Sequence, residues 1–329
     1  MRLSHHAAAA RLLALLPLAL LPLACSGDTA ESSDTITVYT CVNDETIQPL
    51  IEEFERTNEG TEVELFRAAT GELNARVAAD VRGGGLQADV IWACDPLTME
   101  GYVDQGLVGG WTPPNAAAIP SEFRSPDYVG VAVLYMVAVY DDGLPPPKAW
   151  SDLAGPEYVD GVAVPDPSYA ASALGALGYF EQASGYGLDF YAELKDNGAT
   201  QVSTPDDVVI GVAQGLYDAG ITIANSAYVA QESGSPIGVV WPEPGAVAIY
   251  GPAAPTKESD NATLAQDFVS FVVSKPGQQT LAAAGSYPTL PGISGPTLPE
   301  NAPIVYPDWS AIGADQDTLL EDYQEILGG

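Results

Sequence analysis

The chain reads as an α/β protein made of two doubly wound lobes joined by crossing strands. Three observations predict this. From Thr35 to Cys94, short β-branched runs alternate with amphipathic helical stretches. A second series of the same kind begins after Pro145-Pro146-Pro147. Between them, Val131 to Tyr140 is an apolar run bounded by Asp127 and Asp141-Asp142-Gly143. It is too short to cross a bilayer and too β-branched and aromatic for a helix, so it reads as a long buried strand passing between lobes.

The elements follow in order. Thr35 to Thr40 reads as a strand. Ile47, Leu50, Ile51 and Phe54 then fall at i, i+3, i+4 and i+7, one face of a helix. Thr61 to Phe66 alternates again as a strand, with Val63 and Leu65 on one face. Leu73, Val77 and Val81 mark a second helix, ended by Gly83-Gly84-Gly85. Ala88 to Cys94, apolar but for Asp89, suits a strand buried on both faces of a parallel sheet. In the second series Val162 to Val164 reads as a strand, followed by helices over Ala170 to Ala183, Leu188 to Lys195 and Val208 to Tyr217. Ile221 to Ala224, Ile237 to Trp241 and Ala246 to Tyr250 read as strands, the last two able to carry the chain back. Helices over Leu264 to Ser274 and Gln278 to Ala284 are split by Lys275-Pro276-Gly277. A proline-rich tail ends in a helix over Asp317 to Leu327. The predicted organisation is a leader at 1–25, a tether at 26–34, one lobe at 35–132 and 246–290, a second at 141–240, and the tail at 291–329.

The leader carries an address. Arg2 and Arg11 give it a positive start, Leu12 to Ala24 is uncharged and apolar, and small Ala24 precedes Cys25. This layout resembles a bacterial lipoprotein signal, which implies lipidation at Cys25 and an extracytoplasmic, membrane-tethered mature protein. Pro22 departs from that pattern by standing where such signals place leucine, and ordinary secretion is the alternative. The polar stretch from Ser26 to Asp34 suits a flexible tether.

Composition excludes several functions. The 44 acids against 11 bases give a formal charge of −33, which repels nucleic-acid phosphates, so no nucleic-acid partner is expected. A solvated, solubilising surface accounts for that excess, with attraction of a cationic ligand as the alternative. Both histidines, His5 and His6, lie in the leader. A Ser-His-Asp system, a Cys-His nucleophile and any histidine-containing zinc site are thereby removed from the mature chain. No cofactor is expected. With Cys25 assigned to the lipid, Cys41 and Cys94 remain, a pair that would oxidise outside the cytoplasm if the fold brought it together.

In a doubly wound sheet, ligands bind beyond the carboxyl ends of the strands. Four loops qualify: Thr40-Cys41-Val42-Asn43, Ala69-Thr70-Gly71-Glu72, Cys94-Asp95-Pro96, and Ser168-Tyr169-Ala170-Ala171-Ser172. Three of them place small polar side chains and backbone N–H groups at a helix start, which favours an anionic group. Plain helix capping explains any one of these loops taken alone.

Several stretches resemble the solute-binding receptors of ABC importers, in the cluster that handles ferric iron, thiamine, polyamines and phosphonates. They are Val38-Tyr39-Thr40, Pro49-Leu50-Ile51-Glu52-Glu53-Phe54, Thr70-Gly71-Glu72-Leu73, Ala88-Asp89-Val90-Ile91-Trp92, Pro165-Asp166-Pro167, Gln266 to Phe271, and Ser274 to Gln279. The resemblance spans roughly residues 35 to 290 and rests on order and spacing. It implies a type II periplasmic binding protein fold whose lobes close over a ligand, acting as a monomer without catalysis and delivering the solute to a membrane permease. In that fold the first and third strands are neighbours, which implies a disulfide between Cys41 and Cys94.

The cargo is read from what the resemblance leaves at each position. Ferric receptors in this cluster carry adjacent tyrosines after an asparagine; here the stretch is Asn225-Ser226-Ala227-Tyr228, with Tyr228 alone. Asn43 stands where some carry a histidine. A small organic anion or zwitterion, such as a phosphonate, is therefore expected at Thr40, Cys41, Asn43, Thr70, Gly71, Glu72, Asp95, Ser168, Tyr169, Ser172, Asn225 and Tyr228. Ferric iron at Tyr228 is the alternative. Glu72, Asp95, Trp92 and Tyr228 could receive an ammonium group, although Trp92 lies within a buried strand run, where a tryptophan is more often core. Glu243, between two prolines, could meet ligand or face solvent. The rival from another class is a secreted carboxylate-dependent hydrolase, against which stand scattered acids and well-separated tryptophans at 92, 111, 150, 241 and 309.

Overall fold

The computed structural model describes residues 34–296 and 298–328. Cys25 and the rest of the leader lie outside the described residues. The first series comprises β1 (Thr35–Thr40), α1 (Asp44–Thr57), β2 (Glu62–Arg67), α2 (Thr70–Gly83), β3 (Val90–Trp92) and α3 (Pro96–Asp104). The long β4 (Val129–Asp141) then leads to β5 (Val162–Pro165), α4 (Ala171–Gln182), α5 (Gly187–Asp196), β6 (Thr200–Val202), α6 (Pro205–Ala213), β7 (Ala219–Ile223) and α7 (Ala224–Glu232). The chain returns through β8 (Ile237–Val240), β9 (Ala246–Pro255), α8 (Ala262–Val272) and α9 (Lys275–Ala283). It closes with β10 (Tyr287–Pro288), β11 (Ile304–Val305) and α10 (Trp309–Leu327).

Hydrogen bonding orders the main strands β2-β1-β3-β9-β4-β7-β5-β6. The outer triads, β2-β1-β3 and β6-β5-β7, are each parallel. They repeat the same 2-1-3 order, which places a topological switch point in each half. Between them, β4 and β9 run antiparallel to each other and to their outer neighbours. These are the crossing strands. A register shift between Gly130 and Ala132 lets β9 keep Pro252 within a paired strand.

Separate cores hold the two halves. In the first, Ile36, Val38, Phe54, Val90 and Phe268 are buried together, with Phe54 and Phe268 edge to face at 5.1 Å. In the second, Trp150, Phe180, Tyr191, Ile221 and Tyr323 pack together. The C-terminal helix therefore belongs to the second core. It approaches α4 so closely that a Cβ on Gly178 would meet Ile312 Cγ1 at 2.4 Å, a contact only glycine permits.

Several boundaries differ from the sequence reading. Lys275-Pro276-Gly277 does not separate two helices but forms the first turn of α9, because Ser274 caps it and proline is tolerated at that end. The helix expected over 208–217 starts at Pro205 under a Thr204 capping box and ends at Ala213. Ala224 opens α7 rather than ending a strand, and Trp309 rather than Asp317 lies at the start of the last helix. Val81 is 44% exposed and does not belong to the buried face of α2. Five elements lie outside the sequence reading: the short strands β6, β10 and β11, and the helices α7 and α3, the latter signalled by Asp95-Pro96. Glu243 is exposed, as one of its two alternatives expects.

Candidate solute-binding cavity

A cavity of about 90 Å³ opens at the carboxyl ends of the parallel strands of both halves. From the first half come Cys41 and Asn43 beyond β1, Arg67 ending β2, Thr70 opening α2, and Trp92 and Cys94 at the end of β3. From the second come Ala170, Ala171 and Ser172 at α4, Thr204 and Asp206 at α6, and Asn225 at α7. Ala132, Leu134 and Gly251 of the crossing strands form the floor. Cys41 and Cys94 are joined by a disulfide with Cα atoms 5.9 Å apart, so the bond itself is part of the wall.

The helix starts around this space are of two kinds. Asn43 caps α1 by accepting from Thr46 N, and Thr204 caps α6. By contrast α2, α4 and α7 have Ala69, Ala170 and Ile223 at the N-cap, with no side-chain cap. Each of these three carries a polar side chain in its first turn: Thr70, Ser172 and Asn225, all buried. An uncapped helix start leaves N–H donors and a partial positive charge facing whatever lies beyond it. Arg67 is the one basic residue in the lining. Its Nε donates to Val42 O at 3.2 Å, and its guanidinium stands 4.0 Å from Asp206. Other polar lining groups are engaged with one another: the Thr46 and Ser286 hydroxyls are 2.9 Å apart, and Thr204 Oγ1 donates to Asp207.

Of the expected residues, Cys41, Asn43, Thr70, Ser172 and Asn225 line the cavity. Thr40 lies just beneath it, fully buried, its hydroxyl donating to Trp92 O at 2.9 Å. Gly71 and Tyr169 meet at its edge, where Gly71 N–H donates to Tyr169 O at 3.1 Å. The Tyr169 hydroxyl bonds Glu72, which raises the phenol's pKa. The remaining three stand elsewhere. Asp95 caps α3 through Thr98 N at 2.9 Å, and burial raises its carboxyl pKa. Ser168 accepts from Gln324 Nε2 at 2.6 Å on the surface. Tyr228 accepts from Trp241 Nε1 at 2.9 Å, and burial pushes its phenol up.

Sequence reasoning missed Arg67, Thr46, Asp206 and Ser286. Arg67 had a signal, being a rare base at the carboxyl end of a strand. Thr46 and Ser286 had none, because their contact joins positions 240 apart.

A repeated 2-1-3 sheet with a cavity at both switch points is the architecture of a type II periplasmic binding protein. Residues 36–286 match the family of bacterial extracellular solute-binding proteins, and the chain belongs to that family. Among curated relatives, the spermidine/putrescine-binding periplasmic protein of Escherichia coli is 28% identical over 217 residues, 59% of this chain and 61% of the relative. The chain thus spans about 60% of the curated relatives it matches first. Among solved structures, the periplasmic binding protein AfuA of Actinobacillus pleuropneumoniae, with fructose-6-phosphate bound, aligns with TM-score 0.81 and 20% identity. That alignment covers 89% of this chain and 98% of AfuA. Iron-bound HitA of Pseudomonas aeruginosa aligns with TM-score 0.74 and 19% identity, over 89% and 99% of the two chains. At these identities the structural likeness concerns the fold. No helix among the described residues is long and apolar enough to cross a membrane.

Proposed function

We propose that this protein is the extracytoplasmic receptor of an ABC importer, tethered by lipid at Cys25, which captures a small organic anion and delivers it to the permease. The lobes at 35–132 with 246–290 and at 141–240 close over the solute, and no chemistry is performed on it. One observation carries the choice of an anion: α2, α4 and α7 all start at one cavity without a side-chain cap. Oxyanions accept from such N–H groups and offset the helix dipoles. Arg67 adds a guanidinium whose planar fork matches phosphate and phosphonate oxygens, its charge partly met by Asp206 at 4.0 Å. The sugar phosphate held by AfuA is consistent with an oxyanion in this fold.

Two other cargoes fit less well. A polyamine, as the curated relatives' names imply, needs carboxylates, and the one carboxylate in the lining, Asp206, faces Arg67. Ferric iron needs phenolates, whereas Tyr228 is outside the lining and occupied by Trp241. The test is isothermal titration calorimetry of the mature protein with inorganic phosphate, methylphosphonate, acetate, spermidine and ferric citrate. Saturable binding of an oxyanion alone supports the reading; binding of spermidine or iron alone overturns it.

A further inference from the structure

Trp92 is 1% exposed, yet its indole Nε1 has no hydrogen-bond partner while the residue lines the cavity. Buried polar groups are almost always satisfied, and an orphaned donor carries its full desolvation cost. The other fully buried tryptophan obeys the rule: Trp150 Nε1 donates to Gly245 O at 2.9 Å. Gly251, which also lines the cavity, adjoins the orphan: a Cβ there would lie 3.3 Å from Trp92 Nε1 and 2.9 Å from Ala93 O, so any side chain at 251 would cover the nitrogen.

We infer that the Trp92 indole N–H is a binding group for the solute, donating to one of its oxygens and selecting acceptor-bearing solutes against ammonium. Indole nitrogen is a donor only, and so is a protonated amine. A polyamine in the cavity would leave the orphan unpaired, whereas an oxyanion satisfies it. The anion's charge is met by the helix starts and Arg67; Trp92 adds a directional requirement that charge alone does not impose. This inference rests on the anion reading above and names the residue that enforces it.

The test pairs Trp92→Phe, which keeps an aromatic ring at the site and removes the N–H, with the wild type, both titrated with methylphosphonate, inorganic phosphate and spermidine. A hydrogen bond to a charged acceptor predicts at least about tenfold weaker oxyanion binding in the variant. Its ligand-free melting temperature should fall, because the smaller ring leaves a cavity in a buried site, so affinities are compared well below the variant's melting point. A second readout needs no variant to fold for binding: the Trp92 indole N–H resonance should move downfield as methylphosphonate is added to the wild type. Oxyanion affinity equal within twofold, or an indole resonance that does not move, overturns the role of Trp92 and leaves the anion reading standing. A wild type that ignores every oxyanion overturns both.

Discussion

Gly71 N–H donates to the carbonyl oxygen of Tyr169 at 3.1 Å, tying the first turn of α2 to the loop ahead of α4. The two residues belong to opposite halves of the sheet, so this bond fastens the cavity at its edge. It leaves little room for a larger residue. A Cβ on Gly71 would stand 3.1 Å from Cδ2 of Tyr169 and 3.5 Å from its Cα. Gly71→Val should therefore wedge the halves apart and weaken methylphosphonate binding by about tenfold, while ligand-free stability changes by less than about 0.5 kcal/mol. Calorimetry and thermal melts would check this; an unchanged Kd would show that the contact is not needed for the bound arrangement.

Arg67 separates charge from stability. Its pairing with Asp206 at 4.0 Å is partly exposed on both sides, so the pair contributes little to folding. Arg67→Gln should unfold within about 0.5 kcal/mol of the wild type but bind oxyanions at least about tenfold more weakly. Denaturant titration and calorimetry on one preparation would separate the two effects.

Asp95 makes a prediction with a definite pH sign. Its buried carboxyl has one oxygen on Thr98 N and the other, Oδ2, without a partner, and burial raises its pKa. The folded state then holds a proton more tightly than the unfolded one. The contribution of Asp95 is most favourable below the unfolded carboxyl value of about 4 and is lost as pH rises through the raised folded value. Asp95→Asn keeps a good N-cap and removes the buried charge, so it should match or exceed wild-type stability at pH 7. Its advantage should shrink toward pH 4. Urea unfolding at several pH values would check it, and a variant weaker at pH 7 than at pH 4 relative to wild type would contradict it.

The Cys41–Cys94 bond closes a loop across 53 positions. Loop-closure entropy for that length corresponds to about 4 kcal/mol, and measured losses for single bridges run to about 2–4 kcal/mol. Cys41→Ser/Cys94→Ser should lower the guanidinium midpoint accordingly. Because the same atoms form the cavity wall, oxyanion affinity should fall with it, and dithiothreitol should reproduce both changes in the wild type.

How much was legible depended on how local each cause was. The α/β class, the crossing strand and the helix at Ile47 to Phe54 were written in periodicity, which neighbouring residues decide. The position of Thr70 and Ser172 in the cavity lining was legible because loops at the carboxyl ends of parallel strands converge on one crevice. Asp95 looked equivalent, yet its side chain turns back to cap its own helix. Tyr228 was assigned by its place after Asn225, but Trp241, thirteen residues on, takes its hydroxyl. Nothing local announces such a partner. Trp92 reads from the sequence as either core or ligand contact; its ring is packed in the core while the residue also lines the cavity, with its nitrogen unpartnered.

The bare starts of α2, α4 and α7 have a consequence for the empty receptor. A solute seated there would act as a shared N-cap for three helices that no side chain among the described residues caps. Loading would then be a folding event as well as a capture event. The solute-free protein would then be the more fragile form, and limited proteolysis with and without an oxyanion would tell the two apart.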